Sequence, residues 1–443
     1  MKTFDEENVK SIEIISSKSD AHRAYICAAL SDGDCEVICN ETSQDIEATR
    51  NCMVALMNLA NDRVGADLYC KESGSTLRFL LPIVGALGKR GIFHPMGRLS
   101  KRPLSPLYEE LVAHGMTISE PGSVPLIAEG KLKGGDFHIK GNVSSQFISG
   151  LLFALPLLNM DSRIIVEGEL ESAGYVDMTL KTLERFGIKV NDEAAKERRV
   201  FTVSGNQEYT APKEYVVEGD WSNSAFWLAA GILGESPVRI HGLRLDTAQG
   251  DAGILKVIQD FGGEVTIDCA PEQCEQKHCA PERSESGQCE TEPSDSSNPI
   301  ITTYPSAKKL KAITYDAAQT PDMVPAVSLI ATQAKGTTKI INAERLRTKE
   351  SDRLHSISAA LRGLGAHVEE LEDGLIIKGS SDGLSGGTVE SFDDHRIAMM
   401  VAVASLICRD KARLIGWDAV DKSYPSFYEH MDELGLSNNL ERV

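Results

Sequence analysis

The chain has 443 residues, of which 42% are hydrophobic, and its formal net charge is −19. A chain of this length can bury a large core and is expected to form two or three domains. The negative charge opposes nonspecific binding to nucleic acid or to an anionic membrane, so an anionic ligand would need a local basic cleft.

The N-terminus, the apolar runs and the cysteines indicate the cellular compartment of the protein. Residues 1–10 are acidic and polar without an apolar stretch, so neither a secretory signal nor an amphipathic transit peptide is predicted. The longest apolar runs, such as residues 397–407, are too short to cross a membrane. The ten cysteines show no metal-finger spacing, and several lie in apolar helical patterns. We therefore expect a reduced, cytoplasmic protein that is a monomer.

A similar unit recurs about six times along the chain. Each unit has an apolar first helix, a strand, an amphipathic second helix that most often ends at glycine, and further strands. The first helices are apolar all round, so they are expected to be buried. They are predicted to begin near Asp20, Ser75, Ser145, Asp220, Asp322 and Asp394. The second helices are predicted over residues 45–59, 106–114, 176–186, 252–261, 351–364 and 425–434. Because six units exceed what one core usually holds, the repeat predicts two α/β domains of three units each.

An insertion lengthens the interval between the fourth and fifth units. Residues 269–298 form an imperfect ten-residue repeat that is rich in Glu, Ser and Pro. Such a composition cannot bury enough apolar surface to order itself, which favours a mobile loop. The alternative is a metal site whose spacing fits no usual zinc pattern. Its ligands would be Cys269, Cys274, His278, Cys279 and Cys289.

The stretch 345–353 places cations where a helix is predicted to begin. It runs into Leu354, Ile357, Leu361 and Leu364, which have helical spacing. A helix N-terminus carries partial positive charge, so cations there are unfavourable unless an anion is bound. The stretch therefore predicts an anion site. A solvated face, on which these charges pair with one another, is the alternative.

Basic and small polar residues also stand at or just before the starts of the other buried helices. An Arg in the first turn of an apolar helix is costly without an anionic partner. If these helix starts converge, their dipoles and side chains would form a cleft for a small molecule with several negative charges. The residues are Lys18, Ser19, Arg23, Gly74, Ser75, Arg78, Ser144, Ser145, Gln146, Asp322, His395 and Arg396, with Arg102 and Lys422 on turns.

Eight short motifs occur in the order seen in one enzyme family. They are Lys18-Ser19 with Arg23, Ser73-Gly74-Ser75 with Arg78, Lys101-Arg102-Pro103-Leu104, Ser144-Ser145-Gln146-Phe147, Thr320-Pro321-Asp322, Lys349-Glu350-Ser351-Asp352-Arg353, Asp394-His395-Arg396 and Asp421-Lys422-Ser423-Tyr424-Pro425. In these motifs the chain resembles the 5-enolpyruvylshikimate-3-phosphate synthase (3-phosphoshikimate 1-carboxyvinyltransferase) family. The resemblance covers the whole chain apart from the acidic insertion.

The resemblance implies a fold and a reaction. The fold would be an inside-out α/β barrel of two similar domains, each with three βαβαββ units around buried helices. Residues 1–15 with 220–443 would form one domain and residues 16–219 the other, with the active site between them. The enzyme would transfer the enolpyruvyl group of phosphoenolpyruvate to the 5-hydroxyl of shikimate 3-phosphate by addition and elimination, without a metal or another cofactor.

The resemblance also implies roles for individual residues. Asp322 would be the base near the 5-hydroxyl and Glu350 the acid serving the methylene carbon, assisted by Lys18 and His395. Shikimate 3-phosphate would be bound by Lys18, Ser19, Arg23, Ser144, Ser145, Gln146, Ser172, Tyr175, Asp322, Arg345 and Lys349. Phosphoenolpyruvate would be bound by Lys18, Gly74, Arg102, Gln146, Arg353, Arg396 and Lys422. Arg345 stands where some members have an Asn.

Three other interpretations compete with this one. The first is a degenerate member of the family that binds these ligands without turnover, which nothing in the sequence favours because the expected catalytic residues are all present. UDP-N-acetylglucosamine enolpyruvyl transferase should share the architecture, but it usually carries a Cys in the loop that corresponds to residues 97–103, where this chain has none. A clamp-like, repeat-built protein that binds DNA would also explain repeated helices in an acidic chain. It would place Lys and Arg on the faces lining a ring, not at the starts of buried helices beside Asp322 and Glu350.

Overall fold

The computed structural model describes residues 9–59, 64–195, 198–268, 298–437 and 439–443. The expectations for residues 1–8, and both interpretations of the insertion over residues 269–297, lie outside the described residues. The helices are α1 Lys18–Leu30, α2 Gln44–Met57, α3 Gly74–Ala86, α4 Leu107–Ala113, α5 Ser145–Ala154, α6 Ala173–Arg185, α7 Trp221–Leu233, α8 Ile254–Phe261, α9 Val324–Ala331, α10 Arg353–Gly363, α11 His395–Ala404 and α12 Phe427–Glu433.

The strands are short and alternate with these helices. They are β1 Ser11–Glu13, β2 Glu36–Ile38, β3 Ala66–Lys71, β4 Gly91–Pro95, β5 Met116–Ile118, β6 Leu126–Gly130, β7 Asp136–Lys140, β8 Ser162–Glu167, β9 Val190–Ala195, β10 Arg198–Val203, β11 Glu214–Val216, β12 Val238–His241, β13 Glu264–Asp268, β14 Ile300–Tyr304, β15 Thr314–Asp316, β16 Gly336–Ile341, β17 His367–Glu370, β18 Leu375–Gly379, β19 Gly387–Glu390, β20 Ala412–Ile415 and β21 Leu440–Arg442.

The repeat unit is a βαβαββ motif with one strand order. In the unit β7-α5-β8-α6-β9-β10, β7 pairs parallel with β8, and β8 and β9 both pair antiparallel with β10. The units that begin at β3 and β15 give the same order, 1-2-4-3. The described strands form six separate sheets, with no sheet closing on itself.

The first helices of the units are buried, as their composition predicts. Every residue of α7, α9 and α11 is buried. Most of these helices begin after a short polar side chain that accepts a hydrogen bond from a backbone N–H of the first turn. These N-caps are Ser17, Ser73, Ser144, Asp220 and Asp394. The caps fix where each apolar run becomes helical, and so fix which polar residues stand at its end.

The described residues form two hydrophobic cores. One core draws on residues 21–217, and the other on residues 12–15 with 221–436. The strand β1 pairs with β12, so the N-terminal segment packs with the later part of the chain. We name residues 16–219 the N-half and residues 9–15 with 220–443 the C-half. We propose them as the two domains, and the separation of the cores supports this proposal.

The chain passes between the halves twice, and the two crossings lie side by side. Ser16 and Gly219 form an antiparallel bridge, and the N–H of Asp220 donates to the carbonyl of Ile15 at 2.9 Å. A Cβ at Gly219 would lie 2.3 Å from the carbonyl oxygen of Gly242, so only glycine fits there. In the described residues no helix has the length and apolar character needed to span a membrane.

Candidate active site

A cavity of about 380 Å³ lies between the two halves, at the N-terminal ends of the buried helices. Its walls include every residue predicted for the site except Lys422. These are Lys18, Ser19, Arg23, Gly74, Arg102, Ser144, Ser145, Gln146, Ser172, Tyr175, Asp322, Arg345, Lys349, Glu350, Arg353, His395 and Arg396. The described lining contains nine basic and four acidic side chains, in a chain whose formal net charge is −19.

On the N-half side, α1 contributes the first cations. The Nζ of Lys18 lies 2.9 Å from Asp45 Oδ2, and the backbone N–H of Lys18 donates to Asp220 of the C-half at 3.0 Å. Arg23 is buried, with its Nε donating to Thr179 Oγ1 at 2.8 Å and its Nη2 to the carbonyl of Tyr175 at 2.7 Å. Burial lowers the pKa of Arg23 to about 10. The guanidinium therefore stays charged at neutral pH.

The starts of α3 and α5 are joined by a polar network. Arg78 Nη1 donates to Gln146 Oε1 at 2.6 Å, and Gln146 Nε2 donates to Ser75 Oγ at 2.9 Å. Gly74 lies against the guanidinium of Arg102. A Cβ added at Gly74 would be only 2.7 Å from Arg102 Nη1. A larger residue at position 74 would therefore displace Arg102 from the cavity wall.

On the C-half side, Arg353 links three carboxylates. Its Nε lies 2.8 Å from Asp394 Oδ2, its Nη1 2.7 Å from Asp322 Oδ1, and its Nη2 2.6 Å from Glu350 Oε2. Only 1% of its side chain is exposed. This burial rules out a solvated face for this end of the stretch 345–353. The surface pairing occurs nearby instead, between Arg347 and Asp352 at 2.9 Å.

The segment before α10 places Lys349 and Glu350 outside regular helix. Asp352 caps the helix by accepting from the N–H of His355 at 3.2 Å, so α10 begins at Arg353 and not at Ser351 as predicted. A short 3-10 turn over residues 344–348 comes before it. The charged groups at 349 and 350 thus project from an extended link into the cavity.

The carboxyl groups of Asp322 and Glu350 are held ionised by neighbouring cations. Burial alone would raise the pKa of Asp322, but Lys349, Arg396 and Arg353 hold it well below its usual range. Burial also opposes ionisation of Glu350, whose pKa is nevertheless held low, chiefly by Arg353 and Arg102. Burial lowers the pKa of Lys349 to about 8, although its Nζ lies 3.2 Å from Asp322 Oδ1.

His395 is a neutral, buried imidazole. Burial, together with the nearby charges of Lys18 and Arg396, holds its pKa well below the usual value. Neither ring nitrogen has a hydrogen-bond partner among the described residues, although only 1% of the residue is exposed. A buried polar group without a partner is unusual, and His395 is one of the residues that line the cavity.

Two predicted ligand residues are tied to the opposite half. Arg345 Nη1 lies 3.2 Å from Glu171 Oε2 and donates to Ser172 Oγ at 3.0 Å. The Nζ of Lys422 lies 3.1 Å from Glu72 Oε1 and 2.6 Å from Asp393 Oδ1. The contacts of Arg345 with Glu171 and Ser172, and that of Lys422 with Glu72, join the two halves. Lys422 itself is not among the described residues that line the cavity.

Some residues of the site were not assigned roles from the sequence. Arg78 was noted only as a helix-start cation, yet it lines the cavity and its guanidinium fixes Gln146. Asp394 is completely buried and anchors both Arg353 and Ser351. Asp251 lies outside the cavity wall and accepts a hydrogen bond from the Oη of Tyr175 at 3.2 Å. Asp394 stands in a quoted motif, whereas no local pattern marks Asp251.

Comparison with known proteins places the chain among related enzymes. The family profile described as EPSP synthase (3-phosphoshikimate 1-carboxyvinyltransferase) matches residues 6–431. A 3-phosphoshikimate 1-carboxyvinyltransferase of Clostridium perfringens (strain ATCC 13124) is 41% identical over 441 residues, covering 96% of each chain. The chain belongs to the EPSP synthase family.

Further relatives and solved structures extend the similarity. The 3-phosphoshikimate 1-carboxyvinyltransferase of Clostridioides difficile (strain 630) is 38% identical over 467 residues, covering 98% of this chain and 97% of that one. A solved EPSP synthase of Acinetobacter baumannii superposes with a TM-score of 0.72 at 22% identity, covering 96% of each chain. This likeness confirms the predicted α/β fold of EPSP synthases. Neither the UDP-N-acetylglucosamine enzyme nor the clamp-like alternative is favoured.

Proposed function

We propose that the protein transfers the enolpyruvyl group of phosphoenolpyruvate to the 5-hydroxyl of shikimate 3-phosphate and releases phosphate. Membership of the EPSP synthase family supports this reaction. The observation that carries the proposal is the basic cavity, in which nine cations surround a small set of carboxylates that includes Asp322 and Glu350. Two substrates that bear phosphate and carboxylate groups need several fixed cations, because the repulsion between the substrates rises steeply once water leaves the site.

Asp322 is the proposed base of the addition step. Its carboxylate is ionised and fixed by Arg353 and Lys349, so it has a free electron pair and a defined position. It takes the proton of the 5-hydroxyl as the oxygen bonds to C2 of the enolpyruvyl group. Lys18 and Arg396, which line the same cavity, would hold the phosphate and carboxylate of phosphoenolpyruvate.

Glu350 is the proposed acid at the methylene carbon, although the nearby cations keep it ionised without ligand. Anionic substrates would neutralise Arg353 and Arg102, and this raises the proton affinity of Glu350. Substrate binding therefore loads the acid with its proton. Glu350 gives that proton to the methylene carbon during addition and takes one back from the methyl group during elimination.

The two halves must meet for the reaction to proceed. Arg23, Arg102 and Tyr175 come from the N-half, whereas Asp322 and Glu350 come from the C-half. Closure around the substrates would exclude water and align the reacting atoms. We further propose that the enzyme works in the cytoplasm as a monomer with no metal. The described cysteines, which are all free, are consistent with a reducing compartment.

The test is turnover of the purified protein with shikimate 3-phosphate and phosphoenolpyruvate. We expect phosphate release and an enolpyruvyl ether product, both visible by phosphorus and proton NMR, at the same rate with and without a chelator. Absence of turnover would overturn the proposed function. Turnover with UDP-N-acetylglucosamine in place of shikimate 3-phosphate would support the sister enzyme instead, and loss of rate on chelation would contradict the metal-free mechanism.

A further inference from the structure

A second buried carboxyl lies behind the site and is joined to Asp322 by one hydroxyl group. The Oη of Tyr175 is 3.2 Å from Asp322 Oδ2 and 3.2 Å from Asp251 Oδ2. Asp251 is 3% exposed and does not line the cavity. The bridging Tyr175 comes from the N-half and both carboxyls come from the C-half, so the chain of contacts exists only when the halves are docked.

Two buried carboxyl groups compete for one phenolic proton in this chain of contacts. Tyr175 has one phenolic proton and touches two carboxylate oxygens, so it can donate to only one of them at a time. The hydroxyl of Ser222 donates to Asp251 Oδ2, while Asp251 Oδ1 has no partner among the described residues. A buried oxygen without a donor disfavours the carboxylate, so Asp251 has a raised affinity for a proton.

The surroundings of the two carboxyls push their proton affinities apart. Asp322 is contacted by Lys349, Arg353 and Arg396, which hold its pKa well below its usual range against the effect of burial. The described groups that face Asp251 are Asp322, Asp220, Arg396, Ser222, Tyr175 and Tyr315. Burial, reinforced by Asp322, raises the pKa of Asp251 to about 6. A proton that reaches Asp322 is therefore held more tightly at Asp251.

We propose that Asp251 is a positioning residue that stores the substrate proton for Asp322 through the hydroxyl of Tyr175. This inference rests on the proposed function. In the addition step the 5-hydroxyl gives its proton to Asp322. Asp322 then passes a proton to the Tyr175 oxygen while the phenolic proton moves to Asp251 Oδ2. The result is an ionised Asp322, a neutral Tyr175 and a neutral Asp251, with no net change in charge along the relay.

The elimination step runs the same transfers in reverse. Asp251 returns its proton to the Tyr175 oxygen, and the phenolic proton moves to Asp322. Asp322 then protonates the phosphate oxygen as the bond between C2 and that oxygen breaks. Glu350 takes a proton from the methyl group at the same time, so the proton released by the hydroxyl leaves with phosphate. The relay thus keeps Asp322 ionised beside its three cations during the lifetime of the tetrahedral intermediate.

The principal test is the pH profile of kcat for Asp251→Asn. The wild-type protein needs an ionised Asp251 as proton acceptor, so its kcat should fall as pH drops through about 6. In Asp251→Asn we expect kcat to fall by about tenfold or more, the KM values to change by less than about threefold, and this acid limb to disappear. A kcat within twofold of wild type, or an unchanged acid limb, would overturn the relay.

Two further variants separate the relay from a structural role. Ser222→Ala removes a hydrogen bond that favours the ionised form of Asp251, so the acid limb should move to higher pH. If Asp251→Asn does not fold, this shift decides the question, and an unshifted limb counts against the relay. Asp246→Asn, an exposed neighbour that pairs with Arg244, is the matched control and should change neither rate nor limb.

A double variant gives an independent readout. If Tyr175 and Asp251 act in one relay, adding Asp251→Asn to Tyr175→Phe should lower kcat no further than Tyr175→Phe alone. Multiplied losses would show that the two residues act separately and would overturn the relay. Wild-type protein that does not turn over refutes the proposed function. Wild-type turnover with an unchanged limb in Asp251→Asn refutes only the relay.

Discussion

The charged residues of the cavity hold one another in place. A single cation, Arg353, contacts the carboxylates of Asp322, Glu350 and Asp394. The two proposed catalytic carboxylates are therefore positioned by the same side chain, which is also a proposed ligand of phosphoenolpyruvate. A buried arginine with three partners has few alternative conformations, because each of its three nitrogens donates to a carboxylate. The arrangement explains why cations stand at helix starts where the dipole opposes them: the acidic side chains compensate the cost.

Glu350→Gln should separate catalysis from binding. The amide cannot transfer a proton to carbon, so we expect kcat to fall by about 100-fold or more. Binding of shikimate 3-phosphate, measured by calorimetry, should change by less than about threefold, because removing a negative charge does not weaken an anion site. Glu344→Gln, which changes another carboxyl of the cavity wall, is the matched control. An equal loss of kcat and affinity would make Glu350 a binding or structural residue.

Asp20 predicts a pH-dependent term in stability. It accepts from Tyr215 Oη at 2.6 Å and from the N–H of Glu218 at 3.0 Å. Burial raises its pKa from 3.8 to about 6. The folded protein therefore binds this proton more tightly than the unfolded chain does. The contribution of this bound proton to the free energy of unfolding is complete below pH 3.8 and is lost as pH rises through about 6.

The variant Asp20→Asn isolates that term. We expect the free energy of unfolding of wild type, minus that of the variant, to decrease between pH 4 and pH 6. Denaturant unfolding at a series of pH values measures this difference. A difference that is constant with pH, or that increases, would contradict the assignment of a raised pKa to Asp20.

At the scale of elements, helix ends decide which side chains reach the cavity. The polar caps Ser73, Ser144 and Asp394 each precede an apolar run, and this local chemistry made the starts of the first helices predictable. The start of α10 was placed two residues early. Asp352 competes with Ser351 as the cap, and Ser351 is used instead to donate to Asp394 at 3.0 Å. The local Asp352 cap fixes this boundary, whereas the contact of Ser351 with Asp394 spans 43 positions and no local pattern predicts it.

Deleting residues 270–297 should leave the fold and the activity intact. Asp268 on β13 pairs directly with Ile300 on β14, so the two strands already lie side by side at this point. The deletion leaves Cys269, Asn298 and Pro299 as a short hairpin connection, a length that antiparallel strands commonly use. We expect kcat within about twofold of the full chain, and a melting temperature within about 4 °C.

Circular dichroism melting and the phosphate-release assay check the deletion. A large loss of rate in a variant that still folds would show that the acidic insertion takes part in function. A loss of folding would show instead that the β13–β14 edge depends on it.

At the scale of the whole molecule, the contacts between the halves complete the site. The backbone N–H of Ala173 donates to Gln319 Oε1 at 3.1 Å, beside the Tyr175 and Arg345 contacts. Next to it, Gly174 lies so near the C-half that a Cβ would be 2.8 Å from the carbonyl oxygen of Ala248. The glycine is therefore required for close docking of the two halves and not for the conformation of α6 itself.

Gly174→Ala should weaken docking without unfolding either half. The added methyl group would push α6 away from residues 248–250 and separate Tyr175 from Asp322. Because displacements of about 1 Å can cost about 100-fold in rate, we expect kcat to fall at least tenfold. Small-angle scattering with both substrates should give a larger radius of gyration than for wild type. Gly253→Ala, where nothing lies within 4 Å of the added Cβ, should behave as wild type, and equal effects in the two variants would contradict the docking role.

The sequence by itself determined the repeat, the buried first helices, the family and most residues of the cavity wall. The repeat and the buried helices follow from local chemistry: apolar runs, caps and charged residues at helix starts. The family, and with it several residues of the wall, follow from the resemblance of eight motifs. The tertiary structure decided the rest. It paired Asp251 with Tyr175 across 76 positions, buried Arg353 among three carboxylates, and turned Lys422 toward Glu72 and Asp393. Such pairings join residues from distant elements, some of them from opposite halves, and the residues within one helix or strand do not specify them.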